Sequence, residues 1–156
     1  MIDLLKGSDG IVELTTPQSG ERVFSFNPVQ TLATDVLVTI GAPAVEPRRA
    51  ALAVADPDGM QMSYLAASLV RTAHPVALST VQAMLQSATP MIRRRAADAL
   101  AFSRDAASID ALIAAVDDAD SAVRVDVADA LERLSGRPYG QDQARWKAWR
   151  EVFVSK

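Results

Sequence analysis

The tetrad Ala97-Asp98-Ala99-Leu100 returns as Ala128-Asp129-Ala130-Leu131, each residue number raised by 31. No other feature restricts the possible folds as much. Between the two copies lies a further segment of helical pattern, Ser108 to Asp117. A fixed period in this range, with two helices in each unit, is the signature of a helical solenoid. The register reaches beyond the obvious copies. From Leu37 to Leu69, Leu100 and Leu131 the numbering steps by 32, 31 and 31, at matching places in the first helix of each pair. In the second helices, Val45, Leu78 and Ile109 step by 33 and 31, and Leu52, Leu85 and Val116 repeat those steps. A single helix pair cannot bury its own apolar face. Stacked neighbours supply the missing contacts, so several repeats are required.

Breaker residues divide the chain into helices. Asn27-Pro28 reads as a cap with proline at the first helical position, opening a helix to about Ile40 that Gly41 ends. Pro43 leads into a second helix, about Ala44 to Ala55, and Asp56-Pro57-Asp58-Gly59 forms a turn. The third helix covers about Met60 to Thr72. The fourth runs from about Pro75 to Ser87, and the fifth from Pro90 to Ser103 behind a Thr89 cap. The sixth is about Ser108 to Asp117. Asp120-Ser121 caps the seventh, about Ala122 to Leu134, which Gly136 and Pro138 end. Asp142 caps an eighth, to about Val154.

The segment 1–27 differs. Ile11 to Thr15 and Arg22 to Phe26 carry β-branched and aromatic residues around the turn-like cluster Thr16 to Glu21. This predicts a β-hairpin, with a flexible arm as the competing reading. A hairpin alone is marginal in water, so it should pack on something, the open end of the solenoid being nearest. The expected division is therefore an N-terminal hairpin or arm over 1–27 and an all-α solenoid of about four helix pairs over 28–156.

Composition narrows the function classes. The residues are 49% hydrophobic but only 5% aromatic, so the core is aliphatic and rich in alanine, which lets helices approach closely. A net charge of −3 weighs against nonspecific binding to nucleic acid or anionic membrane. With no cysteine there is no disulfide or thiolate chemistry. The amino terminus lacks a basic and apolar leader and no run approaches a membrane span, which makes the cytoplasm the expected location.

Residues Ile92 to Leu100, then Ser108 to Asp118, then Val123-Arg124, resemble a HEAT repeat of the short bacterial type first noted in phycobilisome lyases. Gly136 to Asp142 with Trp146 and Trp149 resembles the C-terminal cap of many bacterial HEAT-repeat proteins. The resemblance is strong over 89–136, weaker over 37–88, and does not reach 1–27. It implies an α-solenoid that binds other proteins along a concave face made by the second helix of each pair. On that face, Glu46 and Arg49, Ser79 and Gln82, and Asp110 and Ala114 recur between the apolar positions. A docking ridge and a merely solvated face are about equally good readings of them. The chain departs from the pattern at Arg48 and Arg49, where apolar residues are the rule. An arginine in a packed seam is costly unless paired. Arg48 is expected at an exposed end repeat, or paired to Glu13 or Glu21 of the hairpin, or in contact with a ligand, in that order.

Other clusters favour the plain reading. Arg93-Arg94-Arg95 could be a phosphate patch, but three consecutive helical residues point different ways. Arg93 and Arg124 match in the repeat and should bond acidic or carbonyl groups in neighbouring loops, with Asp118 and Asp120 as candidates. Trp146, Trp149 and Phe153 share a helix face that should seal the end of the core with Tyr139. His74, the only histidine, sits in a turn without partners for metal or base chemistry. The cluster Asp117, Asp118, Asp120, Asp126 and Asp129 lacks a calcium-loop pattern and reads as caps and solvation. No catalytic, cofactor-binding or metal-binding constellation emerges. The expectation is a non-enzymatic scaffold or adaptor whose partner is another protein. An acidic inhibitor or immunity-type protein that blocks a basic toxin is the alternative, followed by a lyase-related or nucleic-acid-binding HEAT protein. Oligomeric state is left open.

Overall fold

The computed structural model describes residues 11–15, 22–26 and 38–154. Strands β1 (Ile11–Thr15) and β2 (Arg22–Phe26) pair antiparallel, with Ile11 opposite Phe26 and Thr15 opposite Arg22. The turn that would join them, and most of the first expected helix, including Leu37, lie outside the described residues. Residues 38–40 are helical and stop at Gly41, whose φ of 71° lies in the left-handed region that glycine tolerates. A 3-10 turn, Ala42–Ala44, then leads into seven α-helices: α1 (Val45–Ala53), α2 (Met60–Arg71), α3 (Pro75–Met84), α4 (Pro90–Leu100), α5 (Ala106–Ala114), α6 (Ser121–Ser135) and α7 (Gln143–Val154).

The helices form two layers. The first helices of the pairs, α2, α4 and α6, pack side by side. The second helices, α1, α3, α5 and α7, do the same in the other layer. The apolar register built this sandwich. Leu69, Leu100 and Leu131 have no exposed surface, and Val45, Leu52, Leu78, Leu85, Ile109 and Val116 are all buried. Many of the core positions are small: Ala66, Ala77, Ala96, Ala97 and Ala130 are fully buried. Alanine costs no side-chain entropy in a helix and lets backbones come close.

Caps set the helix starts, in two places differently from the sequence reading. Thr89 and Pro90 do open α4, yet the Thr89 side chain makes no cap bond. Its own N–H instead donates to Ser87 Oγ at 3.2 Å. The sixth expected helix begins two residues early. Asp105, not a residue beside Ser108, is its N-cap, and the carboxylate accepts from Ser108 N at 3.0 Å. Asp120 caps α6 as expected, accepting from Ala122 N and Val123 N. Asp142 accepts from Arg145 N at 3.0 Å at the start of α7.

Arg48 departs from the first expectation, that of an exposed end repeat, while Glu21 and the Glu13 side chain lie outside the described residues. It is 2% exposed, so it is not on an open end. Its Nε donates to Ala44 O at 2.8 Å, Nη1 to Ser68 O at 2.9 Å and Nη2 to Gly41 O at 3.2 Å. Among the described residues, backbone carbonyls around the start of α1 and on α2 satisfy the guanidinium. Burial pushes its pKa down from the usual arginine value. Among the described residues, no helix is long and apolar enough to cross a membrane.

Candidate functional site

The face of the second helices crosses α1, α3 and α5. On α1, Arg49 Nη1 lies 2.7 Å from Glu46 Oε1, an exposed i, i+3 pair. Arg49 Nε is buried without a hydrogen-bond partner among the described residues. On α3, Ser79 is exposed and its hydroxyl turns back to Val76 O at 3.0 Å, so it makes no bond across the face. Ala114 is exposed at the end of α5.

Gln82 and Asp110 are held by neighbouring helices. Gln82 Nε2 donates to Ser108 Oγ at 2.9 Å and to Asp105 Oδ2 at 3.3 Å, fastening α3 to the N-terminus of α5. Ser108 is fully buried, and its hydroxyl also lies 3.2 Å from both Ser103 Oγ and Asp105 Oδ2. Asp110 receives a two-pronged bond from Arg150 of α7, Nε to Oδ1 at 2.7 Å and Nη2 to Oδ2 at 3.0 Å. So the five candidate residues do share one layer of helices. Two of them knit that layer together. Among the described residues, Glu46, Arg49 and Ser79 make no hydrogen bond to a neighbouring helix.

Sequence reasoning missed Arg150, because no counterpart recurs in the repeat. It missed the Ser103–Asp105–Ser108 cluster as well, in which the two serines are buried and Asp105 is exposed, although Asp105 three residues before Ser108 was a readable cap signal.

The arginine run resolves into three separate jobs. Arg93 grips Asp118 with Nε and Nη2, both at 2.8 Å, while Nη1 donates to Ser87 O at 2.8 Å. One repeat later, Arg124 Nη1 donates to Asp118 O at 2.8 Å and Nε to Gln141 Oε1 at 3.1 Å. Ser87 and Asp118 occupy equivalent places in successive repeats, as do Arg93 and Arg124, so the same residue closes the same loop twice. Arg94 pairs with Asp126 of α6 at 2.6 Å, and Arg95 reaches the Pro57 and Asp58 carbonyls. The Asp118 carboxyl sits below the usual carboxylate range, first because Arg93 hydrogen-bonds its charged form, with the Asp120 N–H adding to this against desolvation. The Arg93 pKa is raised by the same bond, and that of Arg94 by its bond to Asp126. The run therefore offers no free cationic row to a phosphate backbone.

At the C-terminal end Trp146 is fully buried. Its ring centroid lies 4.9 Å from that of Tyr139 and 5.9 Å from that of Trp149, both edge-on. Its Nε1 donates to Gly140 O at 2.8 Å. Phe153 continues the row but is 42% exposed. His74 is half-buried, and its Nδ1 has no hydrogen-bond partner among the described residues. Among those residues, no group of three or more histidines, aspartates or glutamates is placed to hold a metal ion.

No curated protein sequence matches the chain. Among solved structures, the complex of CpcE and CpcF of phycocyanin lyase from Nostoc sp. PCC7120 is similar, with a TM-score of 0.50 and 22% identity. The match covers 81% of this chain and 80% of that one, and at this identity it speaks to fold alone. The family model for HEAT repeats matches residues 45–132, more than half of the chain and the same stretch in which α1 to α6 stack. With two layers of paired helices, one recurring apolar register and that match, the protein belongs to the HEAT-repeat family.

Proposed function

We propose that this protein is a non-enzymatic scaffold or adaptor that binds another protein on the face of its second helices, centred on Glu46, Arg49 and Ser79 and bordered by Gln82 and Asp110. One observation carries the proposal: α1, α3 and α5 lie side by side and present exposed polar residues at corresponding places, a continuous surface wider than any single helix. Repeat solenoids work through such extended surfaces. The repeat architecture supports a protein partner over a small substrate, which would want a concave pocket with convergent polar groups.

The test uses Glu46→Arg with Ser79→Arg. Both positions are exposed and neither holds a neighbouring helix, so the variant should fold. Capture from an extract of the native organism is compared with wild type. A protein retained by wild type and lost by the folded variant is the expected result. Equal retention would move the interface off this face and end the proposal.

A further inference from the structure

Two exposed patches on opposite edges of the stack have no partner within the chain among the described residues. The Arg94–Asp126 and Arg133–Asp98 bonds hold α4 and α6 parallel, so the loops that follow them leave the stack on the same edge. Arg104 stands in the first of these loops and Arg137 in the second. Both are exposed, and neither side chain makes a hydrogen bond or ion pair among the described residues. Every other arginine from Arg48 to Arg150 has a bonded or electrostatic partner. Phe102, two residues before Arg104, is 62% exposed. The carboxylates close to these residues in sequence are engaged. Asp98 holds Arg133, Asp105 accepts from Ser108 N and Gln82, and Glu132 accepts from Gly140 N.

The opposite edge carries the complement. Arg95 of α4 reaches the Pro57 and Asp58 carbonyls, which places the starts of α2 and α4 together. The 54–59 loop therefore lies on the edge away from Phe102. Val54 is 85% exposed there, more than any other large apolar residue among those described. Asp56 and Asp58 follow it, both exposed. The Asp56 carboxylate accepts the Asp58 N–H at 3.1 Å, and neither carboxylate meets a cation among the described residues. Helix α4, with 11 residues, is about 16 Å long, so the two patches of one chain stand too far apart to touch.

Each patch matches the other in chemistry. Two guanidiniums would meet two carboxylates, and a phenyl ring would meet a valine. We propose that the Phe102 edge of one copy of this chain docks the 54–59 loop of a second copy, with Phe102 against Val54 and with Arg104 and Arg137 against Asp56 and Asp58. The two copies use different surfaces, so the contact is heterologous and runs head to tail instead of closing as a two-fold dimer. Its patches are small and its charges exposed, so the association is weak and is screened by salt. It uses neither Glu46 nor Ser79, so it and the scaffold reading can fail separately.

The test is sedimentation velocity of the full chain over a rising concentration series, at low and at high salt. The sedimentation coefficient should rise with concentration at low salt and much less at high salt. Arg104→Glu with Arg137→Glu should abolish the rise, and so should Asp56→Arg with Asp58→Arg. Mixing those two double variants should restore association, because each keeps the patch that the other has lost. Val54→Ser and Phe102→Ser should each weaken self-association about ten-fold. Arg145→Glu, an equal change of charge outside both patches, should leave it unchanged. Circular dichroism and the thermal midpoint check that each variant is folded. A wild type that stays monomeric throughout overturns the proposal. So does self-association that persists in both double variants, or a mixture of them no larger than its components.

Discussion

Arg48 shows what a single side chain can hold together. Its guanidinium is buried and bonded to three carbonyls, two of them from the turn before α1 and one from α2. Removing it strands polar groups and also leaves a void. We expect Arg48→Ala to destabilise the chain by about 3 kcal/mol. Arg48→Met, which keeps most of the volume, should cost clearly less, and urea unfolding of the two variants checks the order. Asp118 gives a second prediction, in pH. Its carboxyl is depressed in the folded chain, so its stabilising effect is complete above the unfolded carboxylate value of about 4 and is lost as pH falls through the folded value. Stability should therefore drop more steeply on acidification below about pH 4 in wild type than in Asp118→Asn. A series of urea midpoints against pH would show parallel curves if Asp118 were unimportant.

At the level of the element, start signals and end seals are separate devices. The Asp120 carboxylate accepts two backbone N–H groups at the head of α6, a helix whose inner residues the fold already buries. Asp120→Ala should cost about 1 kcal/mol without changing the helix boundaries, which calorimetry and amide chemical shifts would report. Trp146 has a larger role. It fills the space between α7, the 136–142 segment and the core, and its N–H is used. Trp146→Ala should cost about 3–5 kcal/mol and loosen α7 before the rest. Rapid hydrogen exchange confined to 143–154 would be the mark of that. An evenly spread loss of protection would mean that α7 is not a separable cap.

For the whole molecule, each helix pair touches its neighbours and little else, so stability should be distributed as in a one-dimensional stack. The slowest hydrogen exchange is expected in α4 and α6, which have neighbours or a seal on both sides, and faster exchange at α1 and α7. Uniform protection would contradict this. The repeat, the two-helix unit and the buried leucine register were legible in the residues, because an apolar face that recurs at a fixed period has few compact ways to be covered. So were the pairing of Arg93 with the neighbouring loop and the enclosure of Trp146 by Tyr139. Other features were not. Arg48 looked like an exposed or ion-paired charge, because no sequence pattern shows that three backbone carbonyls will converge on it. Asp110 and Gln82 looked like free surface residues. Their partners, Arg150 and the Asp105–Ser108 cap, stand far along the chain and outside the repeat register. Local propensity and periodicity act along the chain, so the sequence by itself determined which segments are helices and which faces they bury. Which polar groups meet depends on side chains reaching across the stack, and only the tertiary structure decided that.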